Sequence, residues 1–411
     1  MKKIVFTYHR VGKINSDYNN TCVSKENFEQ QIMYMKTHFV VLPMEDFLEY
    51  SGECTVATIT FDDGYKDTIN AILPIIEKYN VPITVFVTCN EQNGSEFWMS
   101  DVIRLIFEGE FEDGKLSFKI NGEKIFLTIK DINDRYNIYY FFRRLFREHN
   151  KEFRKNILEE LHKQTNIEWK SRDEFCPLDA EDVFNLSRHE LVDIGAHTVG
   201  HTSLAKFSEN IQRIEIENSI KILEGITGKK VKYFAYPFGN TEDVNNFTTK
   251  ILKENGIVAA FTTKPEVIDE IEDVFLLPRI NCENDSIESW ARHVRYKLGL
   301  ITNDANEIFC GSKMKDENIK YAEKIVVCGS GYKLKDIISF LDKIDRKDRI
   351  VAIVDNDKNK QNTIIDGYMI FSYEEMYGEN ENHWIIYNRY DYDIFVQLRN
   401  NCINKIHWWI D

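Results

Sequence analysis

A chain of 411 residues exceeds the usual span of one domain, so a large domain and a smaller one are expected, each burying its own core. Hydrophobic residues at 43%, aromatics at 13% and charged residues at 29%, with only 7 prolines and 19 glycines, exclude a disordered or low-complexity chain. A net charge of −15, with no Lys/Arg run interleaved with aromatics, excludes nucleic acid as a partner.

The N-terminus carries Lys2 and Lys3 but reaches the polar run Thr7-Tyr8-His9-Arg10 before an apolar stretch of signal length develops. No later segment approaches the ~18 apolar residues that span a bilayer. The expectation is a cytoplasmic protein without a membrane span. Eight cysteines lie scattered with no CxxC pair, as buried reduced thiols do, and are assigned neither a zinc site nor disulfides.

Through the first 300 residues, short apolar runs alternate with helix-like stretches. The runs are Ile4–Tyr8, Phe39–Leu42, Ala57–Phe61, Ile83–Val87, Asp193–His197, Tyr233–Tyr236, Ala259–Thr262 and Val274–Arg279. Such alternation predicts repeated βα units and a parallel sheet or barrel. The clearest unit is Ala57–Phe61, Asp62-Asp63-Gly64-Tyr65, a helix over Asp67–Tyr79, then Val81–Val87, one right-handed crossover.

Residues 98 to about 190 break the rhythm with a hairpin over Lys115–Leu127, turning at Asn121-Gly122, and charged helices at Arg135–Arg147 and Glu152–Lys163. This stretch reads as a mostly helical insertion, either shaping a substrate groove or packing as a subdomain. After a linker at 301–318 the pattern restarts over 319–411. Strands are expected at Ile325–Val327, Ile350–Val354, Met369–Phe371, Trp384–Tyr387 and Ile394–Asn400, with a helix over Lys333–Ile344.

The residues able to do chemistry follow the predicted strands, where parallel barrels gather catalytic groups. Asp62 and Asp63 follow Ala57–Phe61, His197 follows Asp193–Ala196, Tyr236-Pro237-Phe238-Gly239 follows Tyr233–Ala235, and Arg279 follows Val274–Leu277. His197 and His201, four apart, can converge on one metal with a carboxylate as third ligand, leaving positions open for water and substrate. A divalent ion lowers the pKa of bound water toward ~7 and polarises a carbonyl. A second carboxylate then accepts the water's proton and a histidine protonates the leaving amine. Asp-Asp-Gly alone is a common turn and a lone HxxxH can cap a helix; three strand ends delivering these motifs in order carry more weight.

At this point Thr60-Phe61-Asp62-Asp63-Gly64-Tyr65 resembles the first motif of the polysaccharide deacetylases (the NodB-homology, carbohydrate esterase family 4 enzymes), and His197-Thr198-Val199-Gly200-His201 resembles their second. The resemblance covers roughly residues 1–300. It implies a distorted (β/α)7 barrel with Asp62 as general base and Asp63, His197 and His201 holding zinc, or cobalt, nickel or iron(II). Tyr236-Pro237-Phe238-Gly239 resembles the third motif, in which the Phe238 N–H would stabilise the oxyanion.

Two features depart from the family pattern. Ala235 stands where the third motif has its base-orienting arginine, and no Leu-x-His motif follows the later strands. Arg279 in Leu277-Pro278-Arg279-Ile280 is the candidate for the first role and His9 in Tyr8-His9-Arg10-Val11 for the general acid, an arrangement similar to the rearranged poly-N-acetylglucosamine deacetylase branch. His9 as a hydrogen-bonded strand-end residue, and His293 as an alternative acid on a surface helix, remain open. Trp98 and Asp101 either line the groove or pack in the core.

In the C-terminal part, Gly329-Ser330-Gly331 lies between a strand and a helix, and Asp355 ends the next strand, a geometry that can receive a diphosphate at the helix and a ribose at the acid. Leu334 replaces the third glycine of the full fingerprint. The pattern resembles the Rossmann-like N-terminal domains of sugar O-acyltransferases. That likeness implies nucleotide-sugar binding or docking to surface-glycan biosynthesis proteins.

The sequence therefore predicts an α/β hydrolase that removes the acetyl group of an amino sugar, a nucleotide-sugar or a short glycan. An O-acetyl esterase, a deformylase and a noncatalytic sugar-binding scaffold remain as alternatives.

Overall fold

The computed structural model describes residues 2–14, 18–89, 97–120, 122–167, 172, 175–271, 273–298, 323–330, 334–343, 345–376, 383–386 and 406–408. The chain divides into two compact units, Met1–Leu298 and Gly299–Asp411.

In the first unit, strands β1 (Lys3–Tyr8) and β2 (Val56–Phe61) are buried at every residue, because one face of each strand packs inside the barrel and the other lies under helices. Helix α1 (Lys25–His38) connects them, capped by Ser24, whose side chain accepts a hydrogen bond from the Asn27 N–H. Helix α2 (Leu73–Tyr79) leads to β3 (Ile83–Val87). The insertion follows, with helix α3 (Trp98–Glu108), a hairpin of Lys115–Ile120 and Glu123–Thr128, and helices α4 (Ile132–Arg147) and α5 (Lys151–His162). The chain re-enters the sheet through α6 (Ala180–Ser187), β4 (Val192–Ala196), α7 (Glu209–Thr227), β5 (Tyr233–Ala235), α8 (Asn246–Glu254), β6 (Ala259–Phe261), β7 (Ile280–Asn281) and α9 (Ile287–Lys297).

These seven strands pair in parallel in the order β6-β5-β4-β3-β2-β1-β7. Phe261 at the end of β6 forms a parallel bridge with Leu277, and β7 begins three residues later beside β1. One segment, Leu277–Asn281, thus spans the gap between the two edges and makes a distorted seven-stranded barrel. Its core runs from Ile4 and Phe6 through Ile59, Val85 and Phe234 to Trp290. The insertion has a separate core of Phe107, Phe118, Phe142, Phe146 and Leu161.

Four expectations need correction. Val274–Arg279 is not a continuous strand: only Leu277 pairs with β6, and the strand against β1 starts at Ile280. Pro278 between them has no N–H to give a ladder. The insertion does not run to about 190, because Val183 and Leu186 of α6 pack in the barrel core. The helix expected from Asp67 is irregular over Thr68–Ile72, where wider π-type turns precede α2. Cys54 is exposed, although the other described cysteines are buried.

The second unit has a sheet of strands Ile364–Ile365, Tyr368–Phe371, Ile350–Val354, Ile325–Cys328, His383–Ile386 and Ile406–Trp408, in that spatial order. All pairs are parallel except the first. A helix, Leu334–Lys343, covers the core of Val327, Ile337, Leu341 and Ile353. The expected strand Ile394–Asn400 and the linker 301–318 lie outside the described residues. No described helix is long and apolar enough to cross a membrane.

Candidate active site

The parallel barrel points the carboxyl ends of its strands to one rim, and the chain continues the sheet's hydrogen bonding just past them. Asp62 N–H donates to Tyr8 O, His197 N–H to Val87 O and Tyr236 N–H to Phe261 O. His9, Asp62, Asp63, His197 and Phe238 are therefore delivered to the same rim by four different strands.

At Asp63 the backbone turns left-handed (φ 72°), and Gly64 continues the turn (φ 75°) against Val87. Thr198, His201 and Phe238 are also left-handed, with φ of 62°, 52° and 64°. Non-glycine residues avoid this region, and their concentration at one rim is the kind of strain that marks functional sites.

Asp63, His197 and His201 are buried together, their ligand atoms all within 4.8 Å of one another. His197 Nδ1 lies 2.7 Å from Ala235 O; a carbonyl only accepts, so Nδ1 carries the proton and Nε2 keeps its lone pair for the site. The Nε2 atoms of His197 and His201 lie 3.5 and 3.3 Å from Asp63 Oδ1, which is buried with no hydrogen-bond partner. Those separations approach the about 3.4 Å expected between two ligands of one tetrahedral ion. A buried carboxylate oxygen without a partner is costly, and a divalent cation supplies the missing partner, so the donor set fits a metal.

Beside it, Asp62 is held by Arg279, itself fully buried. Arg279 Nη1 and Nη2 each donate to one Asp62 oxygen at 2.6 Å, while Nε donates to Thr262 O at 2.9 Å. This is the planar two-pronged pairing that only a guanidinium makes with a carboxylate. Burial pushes the Asp62 carboxyl up, but the Arg279 guanidinium more than offsets it and holds it below its ordinary value. With protonated histidines beside it, Asp63 is likewise held well down against its burial. His9 follows β1, and its charge lowers both carboxyls further.

Three rings surround His201: Phe238 at 4.7 Å, Phe97 at 5.3 Å and Trp98 at 6.2 Å. Trp98 is buried and joins the insertion's core, so its ring serves as a wall of the ligand site rather than an open sugar platform. Asp101 pairs with His162 at 3.0 Å, and His293 lies exposed on α9. Among the described residues, the Phe238 N–H has no hydrogen-bond partner, while Phe238 O accepts from Thr263 Oγ1.

In the second unit Gly329 is left-handed (φ 98°) and Asp355 faces the same turn. Asp355 Oδ2 accepts from the N–H and Oγ of Ser330 at 3.0 and 2.6 Å, and Oδ1 accepts from the Asp357 N–H at 2.9 Å. Both oxygens are thus engaged within the fold. Gly331 lies outside the described residues.

Sequence reasoning missed Arg147, Arg154, Glu215 and Asp243, which hold the site's loops. Their contacts span 15 to 96 residues of chain, and no local motif announces them.

Residues 49–115 and 149–260 match the polysaccharide deacetylase family. The first unit is a polysaccharide deacetylase domain, which makes the chain a hydrolase acting on amide bonds. Among curated relatives, the chain is similar to the poly-beta-1,6-N-acetyl-D-glucosamine N-deacetylase of Staphylococcus epidermidis, 21% identical over 306 residues, covering 70% of this chain and 81% of that protein. It is 22% identical to the enzyme of the same name from Staphylococcus aureus, over 69% of this chain and 80% of that one. Solved structures with a related shape include the Streptococcus pyogenes deacetylase PplD in complex with acetate, with 16% identity, coverage of 71% and 98%, and a TM-score of 0.46. Another is IcaB from Ammonifex degensii, with 16% identity, coverage of 72% and 97%, and a TM-score of 0.45.

Proposed function

We propose that the chain is a metal-dependent N-deacetylase acting on an N-acetylglucosamine-containing glycan. The observation that carries this reading is the pairing of two adjacent buried aspartates with opposite environments. Asp63 turns an unpartnered oxygen toward two histidines, whereas Asp62 is oriented by Arg279. The names of the staphylococcal relatives support an N-acetylated polymer as the substrate class.

Asp63, His197 and His201 would hold a divalent ion, zinc by its fit to two imidazoles and one carboxylate, and the ion would polarise the acetamide carbonyl and acidify a bound water. Asp62, ionised at neutral pH, accepts the proton of the attacking water. Arg279 keeps its carboxylate aimed. The Phe238 N–H donates to the oxygen that gains charge. His9 gives its proton to the departing amine, so that glucosamine nitrogen and acetate leave as separate products.

The test is metal content and acetate release from N-acetylglucosamine oligomers, for the wild type beside Asp62→Asn. Wild type should hold about one divalent ion per chain and release acetate; Asp62→Asn should keep the ion and lose about 10²–10⁴-fold in turnover. A wild type that binds no zinc, cobalt or nickel and releases no acetate refutes this reading.

A further inference from the structure

The insertion is more than a lid of independent packing, because two of its arginines end on the loops that carry the site. Arg154 of α5 is 3% exposed, and its Nη2 donates to Gly200 O at 2.7 Å, between the two histidines. From the other side, Glu215 of α7 accepts the N–H groups of Val199 and Gly200 at 3.0 and 2.8 Å. A Cβ built on Gly200 would lie 3.2 Å from Arg154 Nη2 and 3.4 Å from Glu215 Oε1, so any side chain there presses on both charged groups. The His197–His201 loop is thus held by three charge-assisted hydrogen bonds, the strong class.

Arg147, at the end of α4, donates through Nε and Nη2 to Asp243 Oδ1 at 2.9 and 2.5 Å. Asp243 is completely buried. It also accepts from Ser203 Oγ, two residues past His201, and from the Asn240 N–H at 2.9 Å, two residues past Phe238. One carboxylate therefore ties the two loops together, and Arg147 supplies its counter-charge while its guanidinium lies 5.0 Å from the centre of the Phe238 ring. The family match passes over residues 116–148, so Arg147 belongs to a stretch outside it.

We propose that Arg154 and Arg147 are positioning residues of the reaction, through which the α4–α5 corner of the insertion fixes the metal-ligand loop and the loop presenting the Phe238 N–H. This rests on the deacetylase reading above. Arg154 contacts the metal-ligand loop directly, between the two histidines, whereas Arg147 reaches it only past His201, through Asp243 and Ser203, and holds the oxyanion-donor loop through the same carboxylate, so the two differ in which property they affect most.

The experiment compares the full-length wild type with Arg154→Met, Arg154→Lys, Arg147→Met and Gly200→Ala. Zinc affinity is measured by chelator competition on metal-stripped protein, kcat and KM on N-acetylglucosamine oligomers, and melting temperature alongside. Arg154→Met should weaken zinc binding about 10–100-fold, as loss of a group behind a metal ligand does. Arg154→Lys should recover part of that affinity, since an ammonium restores one donor to Gly200 O. Gly200→Ala, which perturbs the same clamp without removing a charge, should weaken zinc binding in the same direction. Arg147→Met should weaken zinc binding less than Arg154→Met does and lower kcat about 100-fold with KM little changed, the cost of displacing a catalytic group by about 1 Å. Variants that melt earlier but match wild type in zinc affinity and kcat would show a packing role and overturn the proposal. A wild type that binds no zinc removes the functional reading itself, and this inference with it.

Discussion

Asp63 and Asp355 each stand at the carboxyl end of a parallel strand, beside a turn with left-handed backbone, yet their oxygens are treated in opposite ways. In the second unit Ser330 and Asp357 answer both oxygens of Asp355 from within the fold. In the barrel, Asp63 Oδ1 is buried and unanswered, facing two imidazole nitrogens. The position at a strand end is shared; the unmet hydrogen bond is not, and the unmet bond is what asks for a ligand.

The sharpest way to break this contrast is Asp63→Asn. It should cost more than the about 100-fold in zinc affinity that a residue behind a ligand costs, and turnover should go with it. In metal-free protein the same change should cost the first unit less than Asp355→Ala costs the second, as calorimetry of the full chain would show. Equal losses would mean that Asp63 is an ordinary structural carboxylate.

Arg279→Met comes next. Removing one partner of a fully buried pair should destabilise the first unit by about 3–5 kcal/mol, read from denaturant unfolding. The pH dependence has a definite sign. Asp62 is held below its ordinary value when folded, so its stabilising contribution is complete above the unfolded value of about 3.9 and disappears as pH falls through the lower folded value. Without Arg279, burial dominates and raises the carboxyl. The acid limb of kcat/KM should then move to higher pH; an unmoved limb would detach Asp62 from the base role.

Asp355→Ala should lower the stability of the second unit by about 1–3 kcal/mol, because it leaves the Ser330 N–H buried without an acceptor. Ser330→Ala, which removes only the hydroxyl donor, should cost about 1 kcal/mol. A second unit indifferent to both would leave the Asp355 oxygens free for a ligand after all.

Much of the barrel and its rim was legible in the sequence. β1 and β2 announce themselves as largely apolar runs because both faces are covered, Asp62-Asp63 directly follow β2, and His197 directly follows Val192–Ala196 with His201 four residues further on. Arg279 was legible for a different reason: Ala235 stands where the resembled family has its base-orienting arginine, and Arg279 in Leu277-Pro278-Arg279-Ile280 is the candidate to replace it. The strand containing it was not, since Pro278 splits it into a bridge and a two-residue pairing. Arg147 and Arg154 look like solvated charges on helices that carry several others, and only the tertiary fold turns them inward. Their roles depend on which face meets the barrel, a property that helical periodicity alone leaves open.

The left-handed backbone at Asp63, Thr198, His201 and Phe238 also bears on how this enzyme can be engineered. Each such residue stores on the order of 1–3 kcal/mol of strain, so the rim is a reservoir from which thermostability is available. Thr198 is the most approachable, being β-branched and not itself a ligand. Thr198→Asn, a residue more at ease in that conformation, should raise the melting temperature. If activity falls as the protein hardens, the four strained residues mark where durability is traded for a poised active-site rim.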